Sequence, residues 1–209
     1  VLVAQQLAAY GADRVIVVDD PALEPYMTKP YVHATTTAIQ QYKPEVVLIG
    51  ATAIGRDLAP RVSARIHTGL TADCTGLEVQ EESKNLMMTR PAFGGNIMAT
   101  ILCPDYRPQL ATVRPGVMQR ETKNDNASAG VSSRPVADLA EHKDVEILDI
   151  VKRVGERMDI REGKVLVSGG SGMAGAGSFA IVEQLAEELG GTVSASRAAV
   201  DSGWQEKDR

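Results

Sequence analysis

Apolar residues recur at helical spacing from the start of the chain, and residues 2–10 predict a helix that stops at Gly11. Arg14 to Val18 then reads as a short strand closed by the turn Asp19-Asp20-Pro21. A second helix is expected from Tyr31 to Tyr42. Glu45 to Ile49 is a continuous apolar run, the texture of a parallel strand buried on both faces. The turn Gly50-Ala51-Thr52-Ala53-Ile54-Gly55 follows, and then a helix from Arg56 to Ile66. Strands alternating with helices at this spacing predict a parallel sheet.

From Thr71 the texture changes. Leu77–Gln80, Leu86–Thr89, Asn96–Leu102 and Gln109–Val113 alternate only partly and are separated by Glu, Ser, Asn, Gly and Pro, which predicts an antiparallel extension. Gln119 to Val136 reads as a surface connector, Asp144 to Val151 as a last apolar strand, and Lys152 to Gly163 as a charged linker. Lys164 to Val167 is again of strand type. A glycine cluster follows it, then a helix from Ser178 to Leu189 stopped by Gly190 and Gly191, and a second strand around Val193. The expected class is therefore α/β, with a parallel-sheet N-terminal domain carrying an antiparallel extension over residues 1–158. A linker at 159–163 leads to the start of a Rossmann-like unit at 164–209. That last segment suffices for one strand-helix-strand unit but not for an independent core.

The glycine cluster is the first candidate site. A strand-to-helix turn that brings main-chain N–H groups against a phosphate has no room for Cβ atoms, and a helix N-terminus adds unpaired donors and partial positive charge. Gly170, Gly172 and Gly175 fit G-x-G-x-x-G between a strand and a helix. A dinucleotide site for NAD would put an acid near the end of the second strand to hold the ribose. Here that neighbourhood reads Val193-Ser194-Ala195-Ser196-Arg197, which suits a phosphate or an electron-rich ring better than a ribose diol.

The second candidate is the loop from Gly50 to Asp57 at the C-terminal end of a parallel strand, where open α/β sheets bind ligands. Arg56 and Asp57 there serve either a nucleotide or simple capping and pairing. Arg90 in RPAFGGN and Arg114 in VRPGVM each precede a proline that favours extended backbone, so each reaches either a salt-bridge partner or a ligand across an interface. No nucleophile, base and orienter set is present, so hydrolytic chemistry is not expected.

Composition narrows the classes. The 209 residues are 44% hydrophobic and 23% charged, ordinary for a globular protein. A net charge of −5 and a pI near 5.3 argue against nucleic acid as a partner. Cys74 and Cys103 are too far apart for a metal or redox pair and read as free thiols. His33, His67 and His142 match no metal spacing. No apolar run is long enough for membrane insertion, and the opening residues VLVAQQLAAYGADRV lack the form of a signal peptide, so the cytoplasm is the expected compartment.

SRAAVDSGW after a glycine-rich strand turn, with RPAFGGN and VRPGVM upstream, resembles the alpha subunit of electron-transfer flavoprotein over nearly the whole chain. The resemblance implies an FAD-carrying subunit that pairs with a beta subunit. It also implies transfer of electrons from dehydrogenases, such as acyl-CoA dehydrogenases of fatty acid oxidation, to an acceptor. Such a subunit is an electron carrier rather than a stand-alone enzyme, in some complexes a bifurcating one, and lies in the mitochondrial matrix in eukaryotes. The first domain would serve assembly, and the FAD domain would continue past VDSGW. The cofactor-binding residues carried over are Gly169, Gly170, Ser171, Gly172, Ser196 and Arg197. In the family Arg197 would sit beside the flavin ring and favour its anionic reduced form. The family's turn reads SGGRG where this chain has SGGSG, so Ser171 replaces a cofactor-contacting arginine. Two other readings stand beside this one: an NADP-dependent module using Gly170, Gly172, Gly175 and Arg197, and a non-catalytic adenine-nucleotide or assembly module centred on Gly50 to Asp57.

Overall fold

The computed structural model describes residues 2–92, 96–151, 160 and 163–206, and the chain divides into two compact units, residues 1–148 and 149–209. Most of the charged linker expected at 152–163 lies outside the described residues.

The first unit runs α1 (Leu2–Ala9), β1 (Arg14–Val17), α2 (Thr28–Tyr42), β2 (Val46–Gly50), α3 (Ala53–Ile66), β3 (Leu70–Cys74), β4 (Gly76–Val79), β5 (Leu86–Ala92), β6 (Ile97–Ile101), β7 (Gln109–Val113) and β8 (Gly130–Ser133). Helix α2 begins three residues before the expected start because Pro30 falls in its first turn, where a missing N–H leaves no bond unmade. Its inner face packs Val32 and Ile39 against Val62 of α3 and Leu110 of β7, with Val47 and Ile49 of β2 around them. Both helices end at a residue in the left-handed region, Lys43 (φ 47°) and His67 (φ 56°).

β2, β7 and β3 form a parallel sheet in that order, with Val46 opposite Gln109 and Gly50 opposite Val113. Gln109–Val113 is thus the central parallel strand and not part of an antiparallel extension, and Leu70–Cys74 is a further strand of the same sheet. Two polar residues disguised the centre of the sheet. Gln109 and Thr112 are buried, and each is satisfied: the Leu86 N–H donates to Gln109 Oε1 at 2.8 Å and the Asp73 N–H to Thr112 Oγ1 at 2.8 Å. The apolar run at β2 is likewise not buried on both faces, since it is an edge strand of this sheet and Leu48 is 52% exposed.

β4, β5 and β6 make the expected antiparallel sheet, with Leu86 and Met88 packed on Cys74 and Ala111. β8 pairs in parallel with β1, so the segment expected to be all connector contains a strand, and its composition is polar because it is largely exposed. The last apolar strand expected at Asp144–Val151 is not a strand. Leu148 and Val151 are 88% and 87% exposed, and an apolar run without a partner strand among the described residues has no ladder to join.

The second unit is a strand-helix-strand: β9 (Leu166–Gly169), α4 (Phe179–Glu188), β10 (Thr192–Ala195) and a short α5 (Arg197–Asp201). The strands are parallel, with Gly169 opposite Ala195. Phe179, Val182 and Ala186 on one face of α4 bury themselves with Val193, Ala199 and Trp204. Gly190 (φ 59°) ends the helix, and the Gly191 N–H returns to the Ala186 carbonyl at 2.7 Å. Among the described residues no helix is long and apolar enough to cross a membrane.

Candidate functional site at the glycine-rich turn

The parallel pairing of β9 and β10 sets two strand ends side by side, and the chain leaves both through turns. The Ser196 N–H donates to the Gly169 carbonyl at 2.9 Å, which fixes the start of α5 against the start of the glycine turn. Gly169 must be glycine for a packing reason: a Cβ there would lie 2.5 Å from Cε1 of the buried Phe179 ring. Gly170 stands differently. A Cβ on it would meet only Ser196 Oγ, at 3.7 Å, so this glycine keeps open the space between the two strand ends. Around Gly172 a Cβ would meet nothing within 4 Å. Ser171 and Gly172 are exposed.

The path from β9 to α4 is longer than the sequence suggested. Two short 3-10 turns, Ser171–Met173 and Ala176–Ser178, intervene, with Ala174 (φ 59°) between them in the left-handed region. The N–H groups of Met173, Ala174 and Ser178 are taken by the carbonyls of Gly170, Ser171 and Gly175. Gly170 and Ser171 sit at the head of this path, beside Ser196. Gly175 falls between the two 3-10 turns, away from the strand end.

Ser196 caps α5, its Oγ accepting from the Ala199 N–H at 3.4 Å. Arg197 follows it. Its side chain is 93% exposed and meets Asp201, one turn along, at 3.3 Å. The glycine turn and the cap thus converge, and Arg197 opens α5 beside them with its side chain largely in solvent.

The loop after β2 is built for packing. A Cβ on Gly55 would lie 1.8 Å from the Gly50 carbonyl oxygen, so helix and strand meet there main chain against main chain. Thr52 caps α3, accepting from the Gly55 N–H at 3.1 Å. Asp57 receives the hydroxyls of Thr28 at 2.5 Å and Tyr26 at 2.7 Å, which hold its carboxyl below the usual range. Partial burial, then the Asp57 carboxylate, push the Tyr26 hydroxyl up to about 12. Arg114 grips Asp73 through Nε (3.1 Å) and Nη2 (2.5 Å), and this contact lowers the Asp73 carboxyl. Arg90 differs: among the described residues its buried Nε has no hydrogen-bond partner. The FGG of RPAFGGN lies outside the described residues. Cys74 is fully buried, and burial pushes its thiol up. One juxtaposition had no signal in the sequence, for His33 and His142 stack at 4.1 Å between ring centres.

In class, then, this is a two-unit α/β protein whose second unit presents a glycine-lined strand-to-helix turn. Residues 1–139 match the electron transfer flavoprotein domain, and residues 159–209 match the electron transfer flavoprotein FAD-binding domain. Among curated relatives, the chain is 50% identical over 207 residues to the electron transfer flavoprotein subunit alpha of Thermoanaerobacterium thermosaccharolyticum, covering 98% of this chain and 62% of the relative. It is 46% identical over 202 residues to Protein FixB of Clostridium saccharobutylicum, covering 97% and 60%. It is 37% identical over 201 residues to the lactate dehydrogenase (NAD(+),ferredoxin) subunit LctC of Acetobacterium woodii, covering 96% and 48%. The chain belongs to the electron transfer flavoprotein alpha subunit family. It spans about three fifths of the length of the first of these relatives.

Proposed function

We propose that this chain is the FAD-binding part of an electron carrier that works as a heterodimer with a beta subunit, taking electrons from a dehydrogenase and passing them to an acceptor. The observation that carries the reading is the match of the FAD-binding domain to the segment containing β9, the glycine turn, β10 and the Ser196 cap. The residues fit the cofactor at its phosphate end. Gly170 leaves a gap bordered by Ser196 Oγ, and a Cβ there would narrow it. Gly170, Ser171 and Gly172 would offer main chain to the cofactor, with Gly169 holding the turn down on Phe179. When bound, the flavin supplies the one- and two-electron chemistry. The protein's part is to bind and to tune. Ser196 positions the start of α5, and Arg197 brings a permanent positive charge to the same end of the unit.

Residues 1–158 are assigned to subunit assembly, 159–163 to a linker and 164–209 to the opening of a Rossmann-like FAD domain. The proposed setting is the cytoplasm, or the matrix of a mitochondrion. Electron donors such as acyl-CoA dehydrogenases fit the proposal, as does a place in a bifurcating complex. The test is an absorbance spectrum of the intact protein purified with its neighbouring subunit, followed by titration with FAD and with NADPH. Flavin bands, or stoichiometric FAD uptake, support the reading. A colourless complex that takes up NADPH and refuses FAD replaces it with the NADP module.

A further inference from the structure

Helices α2 and α3 lie side by side in the first unit, joined through Val32 and Val62. Over part of their outer seam they form a cleft of about 360 Å³ lined by Lys29, His33, Arg61, Arg65 and His142, together with Val32 and Ala64. Lys29 and His33 stand one turn apart on α2, and Arg61 and Arg65 one turn apart on α3. Each helix therefore sends a row of nitrogen donors to the same groove. His142, from the turn Leu139–His142, stacks its ring on His33 at 4.1 Å. The Ala137 carbonyl, which only accepts, receives His33 Nε2 at 3.1 Å and so fixes the orientation of that ring.

The charge here is unbalanced. Lys29 pairs with Asp144. Asp57, one turn before Arg61, has one carboxylate oxygen taken by the hydroxyls of Tyr26 and Thr28. Among the described residues Arg61 and Arg65 have no hydrogen-bonded carboxylate, and like charges one turn apart on a helix destabilise it. All five of the polar groups lining the cleft are basic, in a chain whose net charge is −5. A cleft lined by one sign of charge concentrates its field on what enters it.

We propose that this cleft is a binding site for a small anion bearing a phosphate or pyrophosphate group, held by Arg61 and Arg65 on one side, by Lys29 on the other, and by the His33–His142 stack at its end. Guanidinium pairs suit such a ligand because each offers parallel N–H donors to two oxygens. The residues of this site all belong to the first unit, and those of the glycine turn to the second. The site requires no flavin.

The test is calorimetric titration of the intact protein with inorganic pyrophosphate at low salt, on wild type and on Arg61→Gln/Arg65→Gln. Both arginines are exposed, so the double variant is expected to keep its far-ultraviolet circular dichroism. Saturable binding is expected that weakens about tenfold or more in the double variant and falls steeply with added salt. His142→Gln, which keeps the arginines, should show a smaller loss and serves as the second probe should the double variant unfold. Absence of saturable binding overturns the proposal, as does binding indifferent to all three substitutions, which would belong to the glycine turn. A glutamate-rich peptide that binds in an arginine-dependent way where pyrophosphate does not would assign the cleft to an acidic protein segment and also overturn it.

Discussion

Gly50 and Gly55 flank the same turn and look alike in the sequence, yet the structure separates them sharply. A Cβ on Gly55 would sit 1.8 Å from the Gly50 carbonyl oxygen, 3.0 Å from its carbon and 3.1 Å from Ile49 Cγ2. The two nearest are main-chain atoms of a paired strand and cannot swing aside. Gly55→Ala therefore forces the first turn of α3 off β2 by more than an ångström, breaking the Thr52 cap and loosening Ala59 and Val62, both 0% exposed. Overpacking of this kind costs about 1–3 kcal/mol and a lost cap about 1 kcal/mol, a total of about 3 kcal/mol. For a protein of this size each kcal/mol moves the melting midpoint by about 2–4 °C, so a fall of about 10 °C is expected. The control is Gly50→Ala, whose Cβ would meet only Thr52 Cγ2 at 3.9 Å. It should be neutral or slightly stabilising, because alanine lowers the entropy of the unfolded chain. Thermal denaturation of the intact protein, followed by circular dichroism, compares the two. Equal midpoints for Gly55→Ala and Gly50→Ala would refute the argument that strand and helix meet there through main chain.

Further predictions concern the site and the carboxylates. Gly169→Ala should disrupt the second unit, since its Cβ would press within 2.5 Å of the Phe179 ring, and limited proteolysis should then cut residues 163–206 ahead of the first unit. Ser171→Arg restores a cation to the turn and should tighten FAD about tenfold or more, read by equilibrium titration. Arg197→Ala should lower the flavin reduction potential by an amount on the order of tens of millivolts, the effect of one solvent-screened charge, as measured by reductive titration. Asp57 and Asp73 have carboxyls held below the usual range by the Thr28 and Tyr26 hydroxyls and by Arg114. Their stabilising contribution is present above the ordinary carboxylate range and is lost as pH falls through their lowered values. Asp57→Asn should thus lower stability near neutral pH, flatten the acid side of the profile in urea melts and converge on wild type at the acid end.

The alternation of helix and strand was legible because apolar residues on α2 and α3 repeat with the period of the face they bury. The antiparallel sheet was legible from its short, punctuated segments. β7 was misread because its buried polar residues, Gln109 and Thr112, find their partners on Leu86 and Asp73, and no local pattern announces a partner 23 or 39 residues away. The opposite holds at 144–151, where apolar residues with no partner strand among the described residues stay exposed. In the glycine turn the residues were legible and their division of labour was not. Only the packing shows that Gly169 serves Phe179 while Gly170 holds open the space beside Ser196. The His33–His142 stack joins positions far apart in the chain and neither has a spacing that marks it.

The most direct test of the proposed cofactor site is FAD titration of the intact protein, purified with its neighbouring subunit, in wild type and in Gly170→Val. The added side chain has room to fold, since a Cβ at Gly170 meets only Ser196 Oγ at 3.7 Å. It fills the space assigned to the cofactor's phosphates. The account predicts FAD uptake and flavin absorbance in wild type, with uptake weakened about tenfold or more in the variant while its circular dichroism stays unchanged. Undiminished FAD binding by a folded Gly170→Val protein would contradict it and place the cofactor elsewhere.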